Sequence, residues 1–307
     1  MEERPPGVTR HRGGASPAAR ALAVVGGLIL GVGVLAAIAF AIVGRGDGAS
    51  APETTAGTTT GPPPKPVLRI VFPEGFTIDE MAQRVRAVNK IAEQKRKITP
   101  KLNPRQYARI GDEKSKPPQG FQHEGRVASL EGFLFPATYE FTEDTTTREL
   151  IGDQEDAFIR AWSQLDLRYS KSKNLTSYDV LIIASMIEKE VLVPKERALV
   201  SAVIYNRLHA GMALQIDATL RYGLHIAPTE PIHVSDLESD TPYNTRKFPG
   251  LTPTPIANPG LASLQAAAHP AKVDYLYYIR KPDCKSHFFT ASEAEFNSYP
   301  RGGLNCG

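Results

Sequence analysis

The chain has 307 residues, 22% of them charged, with a formal net charge of +3. That length holds one or two domains with a sizeable core, and so mild a charge argues against a nucleic-acid partner. The two cysteines, Cys284 and Cys306, lie near the C-terminus without Cys-x-x-Cys spacing, so no metal or cofactor is expected. Residues 1–20 set Arg4, Arg10, Arg12 and Arg20 among Pro and Gly and read as a tail without fixed structure. Residues 21–43 are an uncharged run of Ala, Val, Leu, Ile, Gly and Phe. As a helix this run would extend roughly 34 Å, enough for a bilayer core, and the Arg-bearing tail should stay cytoplasmic. The expectation is a single-pass anchor in the cell membrane, with everything after it extracytoplasmic. A cleaved signal peptide is the rival, with Ala49-Ser50-Ala51 as its cleavage site, but the run is longer than an h-region of about 7–15 residues. Residues 44–66, rich in Thr and Gly and ending Pro62-Pro63-Pro64-Lys65-Pro66, read as a linker, flexible and then stiffer.

Val67 to Phe72 alternates as a strand does, and Pro73-Glu74-Gly75 is a turn. Thr77 and Glu80 then have capping-box spacing before a helix whose apolar stripe is Ile78, Met81, Ala82 and Val85. The basic stretch Lys90 to Lys101 reads as a solvated surface. A helix follows from Asn103 through Ile110, and Gly111 to Gly125 is a polar loop. Leu130 to Phe141 is aromatic-rich, extended and broken by Pro136; Thr146 to Ser163 is an amphipathic helix through Leu150, Ile151, Phe158 and Trp162.

The most informative stretch is Asp179 to Val193, an apolar helical run that ends in Glu188-Lys189-Glu190. Thr176 or Ser177 can cap its start, and Pro194 stops it. At about 100° per residue, Val180, Ile183, Ala184 and Val191 fall within roughly 60° of Ile187. Glu190 lies about 60° to one side of that stripe and Glu188 about 100° to the other. Glu190 therefore borders the apolar face more closely. A carboxyl against apolar surface resists ionising and can donate a proton near neutral pH. The plain alternative is a solvated helix end.

Lys195 to Ala210 is a further helix with Asn206 and Arg207 on its last turns and Gly211 as its stop. Beyond Met212 short apolar pieces alternate with turns: Asp217-Ala218-Thr219, Thr241 to Thr245 and Pro255 to Gly260 read as loops. Leu261 to Ala268 is a short helix, Tyr275 to Ile279 a buried strand, and Ser286 to Thr290 its hairpin partner. Such loops between regular elements suit a polar ligand.

Several long segments, in order, resemble one family. They are Leu130-Glu131-Gly132-Phe133-Leu134-Phe135-Pro136 with Thr138-Tyr139; Ile183 to Glu190; Val203-Ile204-Tyr205-Asn206-Arg207-Leu208; and Gly211-Met212 with Leu214-Gln215, Asp217, Thr219 and Tyr222-Gly223. Pro242 to Thr245, Gly250-Leu251 through Asn258-Pro259-Gly260, His269-Pro270 and His287-x-Phe289-Thr290 complete the set. Together they resemble the YceG-like family of endolytic murein transglycosylases. The resemblance implies an α+β chain divided as tail 1–20, transmembrane helix 21–43, linker 44–66, a small LysM-like module 67–125 and a mixed α+β catalytic domain 126–307. It implies a bacterial enzyme cutting nascent peptidoglycan glycan strands, with cell-wall synthases as partners, and it places the family's catalytic glutamate at Glu190. The chain departs from the pattern at Ala137 and Arg246, and it has a single Pro-Glu-Gly unit.

Under that resemblance one acid–base residue suffices, because the sugar's own C6 hydroxyl is the nucleophile and a 1,6-anhydro ring results. A muramidase-type hydrolase would need a second carboxylate about 5–9 Å away; Asp217 and Glu131 are the candidates. A non-catalytic, membrane-tethered glycan-binding or scaffold protein is the third reading. Gln215, Asp217, Thr219, Tyr243, Asn244 and Asn258 are candidate sugar contacts, with Tyr222 stacking on a ring. Each has a bland counterpart: Pro242-Tyr243-Asn244 and Asn258-Pro259-Gly260 as turns, Asp217 as a helix cap. Glu188 is expected to orient the helix end or to hold a cation such as Arg207, and His269 and His287 are not assigned to chemistry. Cys284 and Cys306 would close a disulfide loop in an oxidising exterior, stabilising by about 3 kcal/mol. A Cys-x-x-His site using His287 lacks a fourth ligand.

Overall fold

A computed structural model describes residues 65–112, 118, 120–121 and 129–300, all within the unit Gly61–Gly307. The expected tail, membrane span, most of the linker and Cys306 lie outside the described residues. Among the described residues no helix is long and apolar enough to cross a membrane.

The molecule is built around α5 (Ser177–Glu190). Thr176 caps it: its hydroxyl accepts from Asp179 N at 3.2 Å and its own N–H donates to Asp179 Oδ2 at 2.8 Å. An apolar stripe was the expectation, yet every residue from Tyr178 to Ile187 is buried. An all-round buried helix is a core helix, not a surface one. α6 (Arg197–His209), α7 (Asp217–Leu224) and α9 (Leu261–Ala268) pack around it. Leu181, Ile182, Ile183 and Ile187 are fully buried, each worth about 1.5–3 kcal/mol of transfer free energy. That burial fixes the helix axis, and so fixes where its last turn emerges. Phe133 closes the far side, edge-on to Phe121 and Phe158 at 4.9 and 5.1 Å.

A second core lies beneath a strand–helix–helix–strand unit. β1 (Leu68–Val71) leads through the 73–75 turn to α1 (Ile78–Ile91), which opens on the expected capping box and buries Ile78, Met81, Ala82 and Val85. A π-helical turn, Ala92–Arg96, carries exposed Lys95 and Arg96, and α2 (Pro104–Asp112) follows. The second strand is β2 (Thr138–Phe141), antiparallel to β1 with Ile70 opposite Tyr139. The small sheet therefore takes its partner from beyond residue 125, where the module was expected to end. Leu130, Leu134, Tyr139, Phe141, Leu150 and Ile151 share its core with Ile70 and Met81. Leu150 and Ile151 come from α3 (Thr147–Trp162), which is followed by the short α4 (Arg168–Ser172).

The C-terminal part is less loop-like than expected. Asp217 opens α7 instead of lying in a loop or capping a later helix, and Ile216 is the cap residue. α8 (Val234–Leu237) and α10 (Glu293–Ser298) are short helices that the sequence pattern did not show. The hairpin forms from β3 (Tyr277–Arg280) and β4 (His287–Thr290), with Tyr278 opposite Phe289 and Arg280 opposite His287. β3 is half-buried along its length, not fully buried.

Candidate active site

Glu188, Lys189 and Glu190 leave the core together at the end of α5, and each meets a different partner. Glu188 Oε2 accepts from the backbone N–H of Gly260 at 3.0 Å, and Oε1 lies 3.9 Å from Arg197. Its cation is thus Arg197, not Arg207, and its main bond ties the end of α5 to the start of α9. Lys189 donates to the carbonyl of Gly75 at 3.2 Å, so the 73–75 turn rests on the same helix end. A Cβ at Gly260 would stand 1.9 Å from Glu74 Oε1, so the exposed Glu74 side chain lies directly over the start of α9. Burial, then Glu188, raises the Glu74 pKa above its ordinary value.

Glu190 is half-buried. Its Oε2 accepts a hydrogen bond from the Tyr278 hydroxyl at 3.1 Å. Burial raises its pKa above the usual carboxylate range. The Tyr278 bond pulls the other way, Asp217 adds to the rise, and His287 and Arg280 oppose it. Alternation along a strand puts Tyr278 and Arg280 on one face, opposite Phe289 and His287 on β4.

The candidate sugar contacts separate into two groups. Gln215 and Asp217 are exposed. Gln215 has φ +54°, and Asp217 Oδ1 accepts from Arg246 at 2.5 and 3.0 Å. Tyr222 and Tyr243 are half-buried, their rings 5.1 Å apart. Their hydroxyls turn inward: Tyr222 donates to Glu131 Oε2 at 3.3 Å, and Tyr243 lies 2.8 Å from Thr254 Oγ1.

Thr219, Asn244 and Asn258 are different: all three side chains are buried. Thr219 donates to the Ile216 carbonyl at 2.7 Å, and the Asn244 amide donates to the carbonyls of Leu237 and Ser239. Asn258 accepts from the N–H groups of Gly132 and Leu134 and donates to the Phe76 carbonyl and to Glu131 Oε1. These three residues hold the loops together from inside and present no side chain to a sugar. Glu131 is 3% exposed and accepts from Ile78 N, Tyr222 and Asn258. Burial pushes its carboxyl up to about 8. At 3% exposure and with both oxygens taken by donors inside the protein, Glu131 has no access to a water, so of the two hydrolase candidates only Asp217 faces solvent.

Asn206 and Arg207 have scaffold roles. Asn206 donates to the carbonyls of Val273 and Tyr275, and Arg207 donates to those of Leu276, Ala213 and Leu214. They set the chain that enters β3. His287 is buried, with Nδ1 2.8 Å from Glu196 Oε2. Tyr278, Arg280 and Glu196 were not among the candidates. Period-two spacing along a strand was the available signal for Tyr278 and Arg280, whereas Glu196 gave none. Cys284 sits in the β3–β4 turn at φ +56°, and its expected pairing with Cys306 lies outside the described residues.

Two surface clefts lie on the strand–helix–helix–strand unit. One of about 440 Å³ includes Arg86 and Arg105; another of about 590 Å³ includes Ile91, Lys95 and Arg96. Glu190 lines neither.

Comparison with known proteins agrees with the motif pattern. The YceG-like family profile matches residues 48–301. A protein of Bacillus subtilis named endolytic murein transglycosylase is 40% identical over 158 residues, half of this chain and 42% of that one. A protein of the same name from Streptococcus pneumoniae is 35% identical over 239 residues, 72% of this chain and 42% of that one. The chain thus spans under half the length of these curated relatives. A crystal structure of a yceG-like protein from Listeria monocytogenes superposes with a TM-score of 0.60 at 30% identity, covering 75% of each chain. With most of its length matched in sequence and in fold, this chain belongs to the YceG-like family.

Proposed function

We propose that the chain is a membrane-anchored endolytic lytic transglycosylase that cleaves nascent peptidoglycan glycan strands between N-acetylmuramic acid and N-acetylglucosamine. The observation that carries this reading is Glu190: a desolvated carboxyl with a raised pKa, held at Oε2 by Tyr278, at the end of a core helix. It is supported by the curated relatives' name. In the proposed reaction protonated Glu190 gives its proton to the glycosidic oxygen. The C1–O bond breaks, its electron pair stays with that oxygen, and the N-acetylglucosamine product leaves as an alcohol. The C6 hydroxyl of the muramic acid then attacks the oxocarbenium-like C1, and its proton passes to the Glu190 carboxylate. The ring closes as a 1,6-anhydro sugar, no water is consumed, and the acid is restored. Gln215 and Asp217 are the proposed sugar contacts at the exposed rim.

The remaining proposals follow from the sequence. Residues 21–43 are the anchor, the catalytic part is extracytoplasmic, and cell-wall synthases are the partners. The strand–helix–helix–strand unit is the LysM-like module. The test is Glu190→Gln, assayed on purified glycan strands with mass spectrometry of the product ends. Loss of 1,6-anhydro ends with the strand still bound is expected. Retained cleavage would remove the mechanism, reducing ends in place of anhydro ends would indicate the hydrolase, and equal loss of binding and cleavage would favour the scaffold.

A further inference from the structure

Tyr278 and the pair Glu196–His287 take no step in the reaction above, yet Tyr278 and His287 act on Glu190 and the buried Glu196 holds His287. We infer that Tyr278 is a positioning residue that determines which oxygen of Glu190 carries the transferable proton, with Glu196 and His287 as the brace that holds it there. The inference rests on the proposed role of Glu190.

A carboxylic acid has one O–H and one carbonyl-type oxygen. The Tyr278 hydroxyl donates to Oε2 at 3.1 Å, which marks Oε2 as the carbonyl-type oxygen. Burial, reinforced by the neighbouring Glu190, lifts the phenol pKa well above its ordinary value, so Tyr278 stays a donor at any working pH. The proton is left on Oε1, free to move. After transfer the same hydrogen bond supports the negative charge on Oε2, while Oε1 collects the C6 hydroxyl proton.

The brace runs through the connection between α5 and α6. Glu190 ends α5, and Glu196, six residues on, closes a 3₁₀ turn at Pro194–Glu196. Glu196 is 4% exposed; it accepts from His287 N at 3.1 and 3.2 Å and meets His287 Nδ1 at 2.8 Å. The His287 ring stands edge-on to Tyr278, 5.4 Å between centroids at 89°. From the other side Arg207 donates to the Leu276 carbonyl at 2.6 Å and Asn206 to that of Tyr275 at 2.9 Å. Two carboxylates bounding one short connection thus grip adjacent strands of the hairpin, Glu190 through Tyr278 and Glu196 through His287. The other titratable and charged groups facing Glu190 are Asp217 from α7, Arg280 from β3 and His287 from β4; Arg207 from α6 and Asp217 act on Tyr278.

The experiment is a pH–rate profile of the full chain on uncrosslinked glycan strands, scoring 1,6-anhydro ends. Tyr278→Phe keeps the ring and removes the donor. We expect kcat to fall about 10- to 100-fold with KM within about threefold, and the alkaline limb to move up by about one pH unit, because the carboxylate has lost a stabilising bond. Glu196→Gln should move both quantities in the same direction by less. Replacing Tyr278 with 3-fluorotyrosine preserves the packing and makes the phenol a stronger donor, so the alkaline limb should move down. Unchanged kcat and limb in Tyr278→Phe would overturn the inference. Should that variant not fold, an unmoved limb in the fluorotyrosine protein would overturn it. Glu190→Gln in the same assay keeps the two readings apart. Activity there ends the proposed function, whereas an inactive Glu190→Gln beside an unaffected Tyr278→Phe ends this inference alone.

Discussion

Asn258→Ala separates a loop-building role from a sugar-binding one. The fully buried Asn258 amide makes four hydrogen bonds: from Gly132 N and Leu134 N at 2.9 Å each, to Phe76 O at 3.0 Å and to Glu131 Oε1 at 2.7 Å. Truncation leaves two buried N–H groups without an acceptor and takes a donor from a carbonyl and a carboxyl. An unsatisfied buried group costs about 1–3 kcal/mol, and partial relaxation brings the expected loss to about 3–5 kcal/mol. That is a large part of the roughly 5–15 kcal/mol that holds a domain together. Urea unfolding followed by the single tryptophan, Trp162, which packs against Phe121 and Phe158, measures it directly. Asn258→Asp should lose less, since the acceptor for Gly132 and Leu134 survives, although its second oxygen then faces Glu131 and the Phe76 carbonyl. A loss under about 1 kcal/mol together with a tenfold rise in KM for glycan strands would refute the reasoning and return Asn258 to the sugar.

Three further outcomes follow from the same contacts. Arg246→Ala unpairs Asp217, whose full negative charge then disfavours ionisation of Glu190; the alkaline limb of the pH–rate profile should rise by a few tenths of a unit, and a fall would contradict it. Stability should change by less than about 0.5 kcal/mol, because the Asp217–Arg246 pair is exposed. Glu131 has a folded pKa of about 8 against 4.5 when free, so the native state binds the extra proton and stability falls as pH rises between those values. Glu131→Gln should flatten that fall, by at most about 5 kcal/mol at pH 8, and an unchanged slope in urea titrations from pH 5 to 8 would count against it. Gly260→Ala sets a Cβ against the end of the exposed Glu74 side chain, which can turn into solvent, so the change should cost less than about 1 kcal/mol. Adding Glu74→Ala should recover most of the loss, and strict additivity in the double-mutant cycle would show that the clash is not the cause.

Local signals were legible in the sequence wherever a few neighbouring residues decide the outcome. Thr77 and Glu80 form the capping box their spacing indicates, and α9 begins at Leu261 and ends at Ala268 as read. α5 starts where its cap residues indicate, but it ends at Glu190, three residues short of the expected Val193, and its surroundings differ from the expectation. Its uncharged residues from Val180 to Ile187 exceed any one-sided stripe, and that excess was the sign of a helix buried on every face. Asn258 shows the other limit. Asn-Pro-Gly is a turn signal and its amide a plausible ligand contact. The groups that saturate it, at Phe76, Glu131, Gly132 and Leu134, lie more than a hundred positions away, and no spacing rule joins them. β2 escaped the small module for the same reason: a strand pair closes over whatever chain intervenes.

The position of Glu190 follows from a balance that no single residue sets. As the last residue of α5 it sits where the helix dipole is negative, and that, with burial and Asp217, disfavours its charge. Tyr278, His287 and Arg280, all from the hairpin, act the opposite way. The proposed chemistry needs a group that gives up a proton and takes one back within a single turnover, so its two charge states must lie close in free energy. The core helix raises one side of that balance and the two-stranded hairpin the other. Changes in Glu196, Arg207 or Asn206 should therefore show in the pH profile as well as in stability, since Glu196 and Arg207 are buried and Arg207 and Asn206 hold backbone carbonyls.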